Sequence, residues 1–348
     1  MAAIPRLLAL TTAVPPHRLC QSEVVPEAAR LFAGMAQSSP RFAQIYANAG
    51  IQTRYSCVPL EWYGAPHTFT ERNDLFVANA VDLLAQATER CLAAAGRAIV
   101  DIGGLVVVST TGVATPSLDA LLMERLNLNR DLRRLPVFGL GCAGGVLGLA
   151  RAAALAKSEP DRLFLCLVVE LCGLTFRHGD RSKSNLIATA LFGDGAAAAL
   201  VGCRGDGFAI AGWGEHTWRA SLDIMGWNVT DDGFGVVFSR DIPELVRREL
   251  RAALDRYLAE SGQRLGDVDH FVCHPGGAKV VDALEDALEL QRGSMVHARA
   301  TLRDYGNMSA ATVLFVLERA LAAGARGRVL LSSLGPGFTA GFVTLERP

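Results

Sequence analysis

The sequence predicts an α/β fold made of stacked layers of helices and sheets. Short apolar runs rich in β-branched residues alternate along the chain with Ala- and Leu-rich segments of helical period, a pattern typical of layered α/β proteins. Each half of the chain closes with a glycine turn between two strands, at Gly193–Gly195 and at Gly335–Gly337. Because 348 residues exceed one ordinary core, we expect two similar halves, residues 1–216 and 217–348, that share one interface.

The first half begins with an apolar run after Arg6, which is too short for a secretory signal and predicts a strand. A regular Ala/Leu face then marks a long amphipathic helix. The elements predicted after the first strand are, in order, a helix over 22–46, the amphipathic helix over 73–94, a strand over 104–109, a short helix over 117–126, a strand-like run over 135–140, a helix to about 157, a strand over 162–170 and an Ala-rich strand to about 202.

The second half shows the same kind of alternation. Its arginines between 247 and 256 are interpreted as the solvated face of a helix. The elements predicted for this half are a helix over 242–261, a strand over 268–273, a helix after His274, a helix over 309–323 and two strands over 328–334 and 338–345.

Composition narrows the classes of function. The net charge of −1 provides no extended cationic surface, so we do not expect nucleic acid as a partner. The most apolar stretch, Leu163–Phe176, contains Glu170 and is too short to span a bilayer, so we expect no integral membrane association. The eight cysteines form no CxxC pair and no metal-ligand spacing. We therefore expect reduced thiols in a cytoplasmic protein and no metal.

One cysteine has the surroundings of a nucleophile. Cys142 lies between a strand-like run and a predicted helix, with Gly141, Gly144 and Gly145 around it. Unpaired N–H groups and the positive end of the dipole at a helix N-terminus favour an anion, so a thiolate is expected there. The glycines leave room for a substrate. A small buried residue in a tight turn is the alternative explanation.

Two other polar residues stand in similar apolar, glycine-flanked contexts. His274 precedes Pro275-Gly276-Gly277, and Asn307 follows Gly306. A thiol, an imidazole and a carboxamide at the ends of buried elements suit acyl-thioester chemistry, in which a nucleophile needs a basic partner and an oxyanion needs donors. Taken singly, a core histidine and a helix cap are the alternatives.

These motifs together resemble those of the type III polyketide synthases, relatives of chalcone synthase in the thiolase superfamily. The resemblance implies a five-layered αβαβα thiolase fold, a homodimer, and no cofactor beyond the substrates malonyl-CoA and acyl-CoA. The matching segments, in family order, are Gly141-Cys-Ala-Gly-Gly145, Leu191-Phe-Gly-Asp-Gly-Ala-Ala197, His274-Pro-Gly-Gly277, Tyr305-Gly-Asn-Met-Ser309 and Gly335-Pro-Gly337.

The resemblance also implies roles for four residues. Cys142 would carry the starter and each intermediate as a thioester. His274 and Asn307 would hydrogen-bond the malonyl thioester carbonyl while decarboxylation builds negative charge on it. A cationic His274 beside the helix N-terminus would lower the pKa of Cys142 below about 7. Phe192 would be an aromatic gate beside the cysteine, for which plain core packing is the alternative.

Further residues match positions that line the substrate cavity in relatives. The small ones, with the Cys-Ala-Gly-Gly pattern typical of bacterial members that use fatty acyl starters, predict an apolar tunnel and an alkylpyrone or alkylresorcinol product. Thr115 replaces a methionine that crosses the dimer in plant relatives, and the bond before Pro116 is a candidate for cis. Glu170, Thr110 and Ser309 would form a polar network that activates water, with a structural network as the alternative. The positions are Thr110, Thr111, Thr115, Glu170, Cys172, Thr175, Gly233, Ser309 and Leu334, with Gly335, Pro336, Gly337 and Phe338 in the roof.

Coenzyme A binding departs from the family pattern. Of three cationic contacts on the N-terminal helix only Arg41 remains, with Gln44 and Asn48 at the other two positions. Lys279, just after the His-Pro-Gly-Gly motif, is predicted to compensate. Delivery of the starter by an acyl carrier protein is the alternative.

Three rival functions share parts of the pattern. The ketosynthase that initiates fatty-acid synthesis also uses Cys, His and Asn, but typically has His-Gln-Ala-Asn where this chain has His-Pro-Gly-Gly. A Cys-His-Asn hydrolase would transfer the acyl group to water and would need no malonyl-CoA. A non-catalytic acyl-binding protein is disfavoured because all three catalytic positions are filled.

Overall fold

Thirteen β-strands form the framework of the computed structural model, which describes residues 3–347. They are β1 Arg6–Ala13, β2 His17–Cys20, β3 Thr53–Ser56, β4 Ile102–Val108, β5 Arg133–Val137, β6 Leu163–Leu171, β7 Asp194–Gly202, β8 Phe208–Thr217, β9 Met225–Thr230, β10 Gly233–Phe238, β11 His270–Cys273, β12 Gly327–Gly335 and β13 Thr339–Arg347.

Eleven α-helices connect these strands within the same residues. None of them is both long and apolar enough to cross a bilayer. They are α1 Gln21–Leu31, α2 Ala33–Ser38, α3 Phe42–Ala49, α4 Phe69–Ala95, α5 Leu118–Leu126, α6 Gly144–Ser158, α7 Lys183–Leu191, α8 Ile242–Glu260, α9 Ala278–Ala287, α10 Val296–Tyr305 and α11 Thr312–Ala322.

Nine strands form one mixed sheet in the order β11-β12-β13-β8-β1-β7-β6-β4-β5. Its two parts meet where β1 pairs with β8 over only two residues, Arg6 and Leu7. By contrast, β1 pairs with β7 along its whole length. The narrow joint divides the sheet into one part made of β1, β4, β5, β6 and β7 and another made of β8, β11, β12 and β13, so that β8, from the end of the predicted first half, pairs with the strands of the second. The division at residue 216 stays a prediction, and residues 1, 2 and 348 of its ranges lie outside the described part.

Helices α6 and α11 form a layer between the two parts of the sheet. Helix α6 contacts β4, β6 and β7 on one side and β8, β12 and β13 on the other, and it also packs on α11. Helices α4 and α5 cover the outer face of the first part, and α8 with α9 covers the second. This αβαβα order is the predicted one, and it buries the start of α6 at the centre of the molecule.

The predicted helix over 22–46 is wrong, because the chain forms three short helices there. Phe32 leaves the helical region and separates α1 from α2. Ser39 is extended before Pro40, as expected of a residue that precedes proline. Helix α10 was not predicted, since its buried face is only Ala298, Thr301 and Leu302. Neither β8 nor the β9–β10 hairpin was predicted.

Candidate active site

Cys142 lies in a single 3-10 turn, Gly141–Ala143, that runs directly into α6. The predicted position at a helix N-terminus is therefore confirmed. Two glycines let neighbouring segments close on this turn. Gly141 has φ +46, and a Cβ there would lie 2.5 Å from Pro336 Cδ. A Cβ on Gly145 would lie 2.2 Å from the Ala310 carbonyl oxygen.

The turn that carries Ser309 approaches the thiol. Ser309 Oγ is 3.7 Å from Cys142 Sγ. Asn307 Oδ1 accepts a hydrogen bond from the Ser309 N–H at 2.8 Å, and its Nδ2 donates to the Gly276 carbonyl at 3.1 Å. These two bonds fix the orientation of the amide, whose nitrogen carries a second N–H. Residues from three distant segments thus meet beside Cys142.

His274 follows β11, and its backbone N–H donates to the Ser332 carbonyl at 2.9 Å. The side chain is buried, and within residues 3–347 neither ring nitrogen has a hydrogen-bond partner. Buried polar atoms are nearly always partnered in native proteins. A free imidazole two residues from the Asn307-bonded Gly276 is therefore available to a substrate. Hydrogen bonds thus link Asn307 to Ser309 beside Cys142 and to Gly276 two residues after His274, and the shared catalytic role of the three residues stays a prediction.

The predicted thiolate–imidazolium pair is wrong for the resting site. Burial raises the pKa of the Cys142 thiol to about 12, and burial lowers the pKa of His274 to about 4. No hydrogen bond joins the sulfur to the ring. Loss of hydration disfavours both charges, and it outweighs the helix N-terminus. Both groups are therefore neutral, and the thiol must lose its proton during the reaction.

Glu170 lies near the end of β6 and is completely buried. Its Oε2 accepts from the Thr110 N–H at 3.0 Å and from the Thr111 hydroxyl at 2.8 Å. Oε1 has no hydrogen bond of good geometry, although the Ser309 hydroxyl and the Ala310 N–H are close enough to favour the charged form. Burial dominates and raises the pKa of Glu170 to about 7.

The predicted network of Glu170, Thr110 and Ser309 is therefore only partly as expected. Thr110 binds Glu170 through its backbone, while its hydroxyl accepts from the Gly141 N–H at 3.1 Å. Thr111, which was predicted as a cavity wall, supplies the hydroxyl and also accepts from the Leu171 N–H. The carboxyl group is thus linked to the Cys142 turn through Thr110.

Phe192 follows α7 and is buried against Trp227 and Phe238, with ring centroids 6.3 and 5.7 Å apart. Its segment pairs with Asn307, whose N–H donates to the Leu191 carbonyl at 2.8 Å. The Gly193 N–H returns a hydrogen bond to the Asn307 carbonyl at 3.0 Å. The ring and the amide are therefore held by one backbone pairing.

Arg54, which the sequence reasoning missed, supports this pairing. It is buried, and its guanidinium donates to the carbonyls of Thr189 at 2.6 Å, Ala190 at 3.2 Å and Phe192 at 2.9 Å. Gln21 Oε1 accepts a further bond. The only sequence signal is an arginine in a strand whose alternate residues are buried.

The cavity walls differ from the prediction. Cys172 and Thr175 line an apolar cavity together with Phe192, whereas Thr110, Thr111 and Gly233 do not. The space between Thr111, Thr175 and Phe234 has a volume of only about 10 Å³, which is room for one water at most.

An aromatic ring occupies the space beside Gly233, at the start of β10, where the sequence predicted a tunnel. A Cβ on Gly233 would lie 2.6 Å from the Phe69 ring, which packs edge-on against Phe234. Arg72 holds the adjacent turn by hydrogen bonds to the carbonyl and carboxylate of Asp232. Aromatic side chains thus fill the space next to Gly233 in which the sequence predicted an apolar tunnel.

The roof residues divide between two places. Gly335 and Pro336 lie on the Cys142 turn, because a Cβ on Gly335 would be 2.3 Å from the Leu140 carbonyl oxygen. Leu334 is buried in β12, and Gly337 accepts a hydrogen bond from the Ser221 hydroxyl. Phe338 is buried against Trp218, at 4.9 Å between ring centroids, so it packs in the core.

The remaining candidates are exposed. Thr115 lies on a surface loop, and its bond to Pro116 is cis, which confirms that prediction. Arg41 precedes α3 and Lys279 lies in the first turn of α9, both without an ion-pair partner in the described part of the chain. Residues 3–347 contain no group of three or more His, Cys, Asp or Glu that could hold a metal.

Comparisons with known proteins cover the whole chain. Residues 2–205 match the family "Chalcone and stilbene synthases, N-terminal domain", and residues 220–345 match its C-terminal domain. A 1,3,6,8-tetrahydroxynaphthalene synthase of Streptomyces peucetius subsp. caesius is 39% identical over 97% of this chain and 92% of its own length. A 3,5-dihydroxyphenylacetyl-CoA synthase of Amycolatopsis balhimycina is 30% identical over 97% and 92%.

Solved structures are similar over the same length. The 1,3,6,8-tetrahydroxynaphthalene synthase of Streptomyces coelicolor A3(2), a bacterial type III polyketide synthase, superposes with a TM-score of 0.92 at 29% identity, covering 99% of this chain and 100% of that one. PKS-I of the brown alga Ectocarpus siliculosus has a TM-score of 0.92 at 26% identity, covering 100% and 99%.

Proposed function

This chain belongs to the chalcone and stilbene synthase family of type III polyketide synthases, and from that premise we propose that it extends an acyl thioester on Cys142 with malonyl-CoA. The predicted family, the thiolase-like α/β fold and the activity of a condensing acyltransferase are confirmed by these likenesses. The substrates and the roles of single residues are proposals.

One observation carries the proposed chemistry: a buried imidazole with no hydrogen-bond partner lies two residues before the carbonyl of Gly276, which binds an amide that two hydrogen bonds orient. The His274 ring nitrogens are free among the described residues, and Asn307 is fixed by Ser309 and Gly276. Two preorganised donors in a dry site are what an enolate oxygen requires. The Cys142 thiol lies 3.7 Å from the Ser309 hydroxyl, so the enolate carbon would form close to its thioester.

The neutral resting site sets the order of proton transfers. The Cys142 thiol gives its proton to His274 as the sulfur attacks the starter carbonyl, and the departing coenzyme A sulfur takes that proton back. Neutral His274 then donates its N–H, with Asn307, to the malonyl thioester oxygen while the carboxylate leaves as CO2. The enolate forms a carbon–carbon bond to the acyl group, and the Cys142 sulfur leaves as the thiolate.

We propose a fatty acyl starter and cyclisation to an alkylpyrone or alkylresorcinol. The Cys-Ala-Gly-Gly pattern and the apolar cavity that begins at Cys172 support this starter. Glu170, with a pKa raised by burial to about 7, is linked through Thr110 to the Cys142 turn and could exchange a proton during cyclisation. Pyrone formation needs only enol attack on the thioester, whereas resorcinol needs an aldol closure.

A second candidate product is a hydroxylated naphthalene. It is favoured by the 39% identity to a 1,3,6,8-tetrahydroxynaphthalene synthase. A ten-carbon naphthalene skeleton corresponds to five two-carbon units, so that route would need no fatty starter.

The remaining expectations stand as proposals. We propose a homodimer in which the exposed loop of Thr115 reaches the partner. We propose that coenzyme A binds near Arg41 and Lys279, with carrier-protein delivery as the alternative. All eight cysteines are free of disulfides, which supports a cytoplasmic location.

The test is incubation with malonyl-CoA and acyl-CoAs of two to eighteen carbons, with products identified by mass spectrometry. We expect pyrones or resorcinols that carry the starter's alkyl chain. Tetrahydroxynaphthalene from malonyl-CoA alone, with no gain from any acyl-CoA, would establish the second candidate. Release of free acid without malonyl-CoA consumption would indicate a hydrolase.

A further inference from the structure

We propose that the cavity between α1 and α7 binds the alkyl tail of the acyl group on Cys142, so that the inner face of α1 selects starter length. This inference rests on the proposed fatty starter. The tail site lies behind Cys172 and Phe192, and it replaces the tunnel past Gly233 that the small residues suggested.

The lining of the tail site is apolar on both sides. Helix α1 contributes Val24, Ala28 and Leu31, and α7 faces them with Ala188. Phe192 and other aromatic side chains complete the wall. An apolar surface of this kind strengthens binding of a hydrocarbon chain in proportion to the area it covers.

The charged groups in the lining are already bound to other parts of the protein. Glu27 on α1 pairs with Arg30 at 2.8 Å. Arg54 donates to three carbonyls of α7 and its end, and Asp194 accepts from the backbone N–H groups of Cys57 and Gly173. Of the buried polar atoms of this lining, within residues 3–347, only Arg54 Nε lacks a partner. The tail site therefore offers few polar groups to a ligand.

Cys172 connects the tail site to the reaction centre. It follows β6 directly after Leu171, two residues beyond Glu170, and it packs with Ala188 and Phe192 in one buried cluster. Phe192 is the other residue shared by the cavity wall and the site. A chain held on the Cys142 sulfur reaches the tail site by passing these two side chains.

The volume sets a chain length. The cavity holds about 80 Å³, roughly half of the 150 Å³ that accommodates benzene in an engineered cavity. It therefore receives about three carbon atoms beyond Cys172. Longer chains fit only if α1, which packs at the surface of the fold, moves outward.

The test uses variants that fill the tail site from either side, Ala28→Leu and Ala188→Leu. The control is Ala33→Leu, the same change at an exposed position. Acylation of Cys142 is followed by intact-protein mass with acyl-CoAs of two to eighteen carbons, and each rate is divided by the acetyl-CoA rate. Because each buried methylene strengthens binding about fourfold, we expect the ratio at the preferred length to fall roughly sixtyfold.

A variant that enlarges the tail site separates a change in length preference from a general loss of folding. Leu31→Ala enlarges the tail site, so we expect its preferred starter to be longer than that of the unaltered enzyme. If all three variants keep the original length profile, the tail site is refuted, while the proposed fatty starter stands. If the unaltered enzyme shows no preference for any fatty acyl-CoA over acetyl-CoA, the proposed starter fails, and the tail site fails with it.

Discussion

The guanidinium of Arg54 donates a hydrogen bond to the carbonyl oxygen of Phe192 at 2.9 Å. Arg54 also donates to the carbonyls of Thr189 and Ala190, near the end of α7, where the helix dipole favours a cation. Because Asn307 pairs with the backbone on both sides of Phe192, this arginine positions the Phe192 ring and the Asn307 amide together.

Replacing Arg54 should therefore slow malonyl decarboxylation more than acylation of Cys142. In Arg54→Met the carbonyls of Thr189 and Phe192 lose the guanidinium as donor, at roughly 1–3 kcal/mol each, while the Ala190 carbonyl keeps Gln21 as a donor. The backbone that pairs with Asn307 loses its support. We expect a lower melting temperature and a larger fall in kcat for malonyl decarboxylation than in the rate of Cys142 acylation. Arg54→Lys should recover part of both, since the ammonium reaches fewer carbonyls.

The control for this experiment is Arg130→Met, which removes an exposed arginine paired with Glu124. Burial lowers the pKa of Arg54 to about 10, so Arg54 is charged at pH 7. Both Arg54→Met and the control therefore remove one positive charge. Equal losses in decarboxylation and acylation would show that Arg54 serves stability only.

Alkylation of Cys142 should be slow at neutral pH. With its pKa raised by burial to about 12, the thiol of the free enzyme carries little thiolate, so we expect the iodoacetamide rate to rise without a plateau up to pH 10. His274→Ala should leave this profile unchanged but slow acylation by acyl-CoA, because only the reaction needs the imidazole as a base. Peptide mapping gives both rates, with partly exposed Cys20 as the internal reference. A rate that reaches its plateau below pH 7 would show that Cys142 is a thiolate in the free enzyme and would support the ion pair with His274.

The sequence was sufficient to identify those candidate site residues whose neighbours in the chain form a recognisable motif. Cys142, His274 and Asn307 each stand close to glycines at the end of a buried element, and that local pattern, with the family motifs, singled them out as one predicted site. The αβαβα layers followed from the same motifs. The helix N-terminus at Cys142 was also local and was confirmed.

What the sequence could not supply depends on packing between distant segments. Burial by segments distant in sequence, of which the Ser309 turn is one, raises the pKa of Cys142, and no local pattern in the sequence predicts it. The tail site exists because α1 packs on α7, and Ala28 looks like any other helix alanine. The small residue Gly233 suggested open space, yet the Phe69 ring from a remote helix fills it.

Gly145 should tolerate no side chain. A Cβ at this position would lie 2.2 Å from the Ala310 carbonyl oxygen and 2.8 Å from Val313 Cγ1, and the backbone of α11's entry cannot move alone. We expect Gly145→Ala to lower the free energy of unfolding by about 1–3 kcal/mol and to slow acylation. Gly34→Ala, where a Cβ meets nothing within 4 Å, should be neutral or stabilising. Urea unfolding compares them, and equal midpoints would contradict the close approach.

The amide of Asn307 should matter as a donor. Asn307→Asp keeps an oxygen for the Ser309 N–H, but it loses the N–H groups and places a charge beside the Gly276 carbonyl and the developing enolate. We expect malonyl decarboxylation to fall on the order of a hundredfold or more, while Cys142 acylation falls less. Release of CO2 and intact-protein mass separate the two steps. An unchanged rate of decarboxylation would show that Asn307 does not donate a hydrogen bond to the enolate oxygen.

Glu170 should make stability depend on pH. Burial raises its pKa from 4.5 to about 7 in the folded protein, so the folded state binds the proton more tightly than the unfolded chain does. The stability that this proton contributes is fully present below pH 4.5 and is lost as the pH rises through 7. At 1.36 kcal/mol per pH unit, the loss amounts to roughly 3 kcal/mol.

Glu170→Gln removes the titrating proton while keeping an oxygen that can accept from Thr110 and Thr111. We therefore expect the free energy of unfolding of the unaltered protein to fall relative to the variant between pH 4.5 and 7, measured by urea titration at each pH. Glu260→Gln makes the same charge change at an exposed position, and its curve should stay parallel to that of the unaltered protein. Parallel curves for Glu170→Gln as well would mean that the carboxyl group is ionised throughout, held by its hydrogen bonds and not governed by burial.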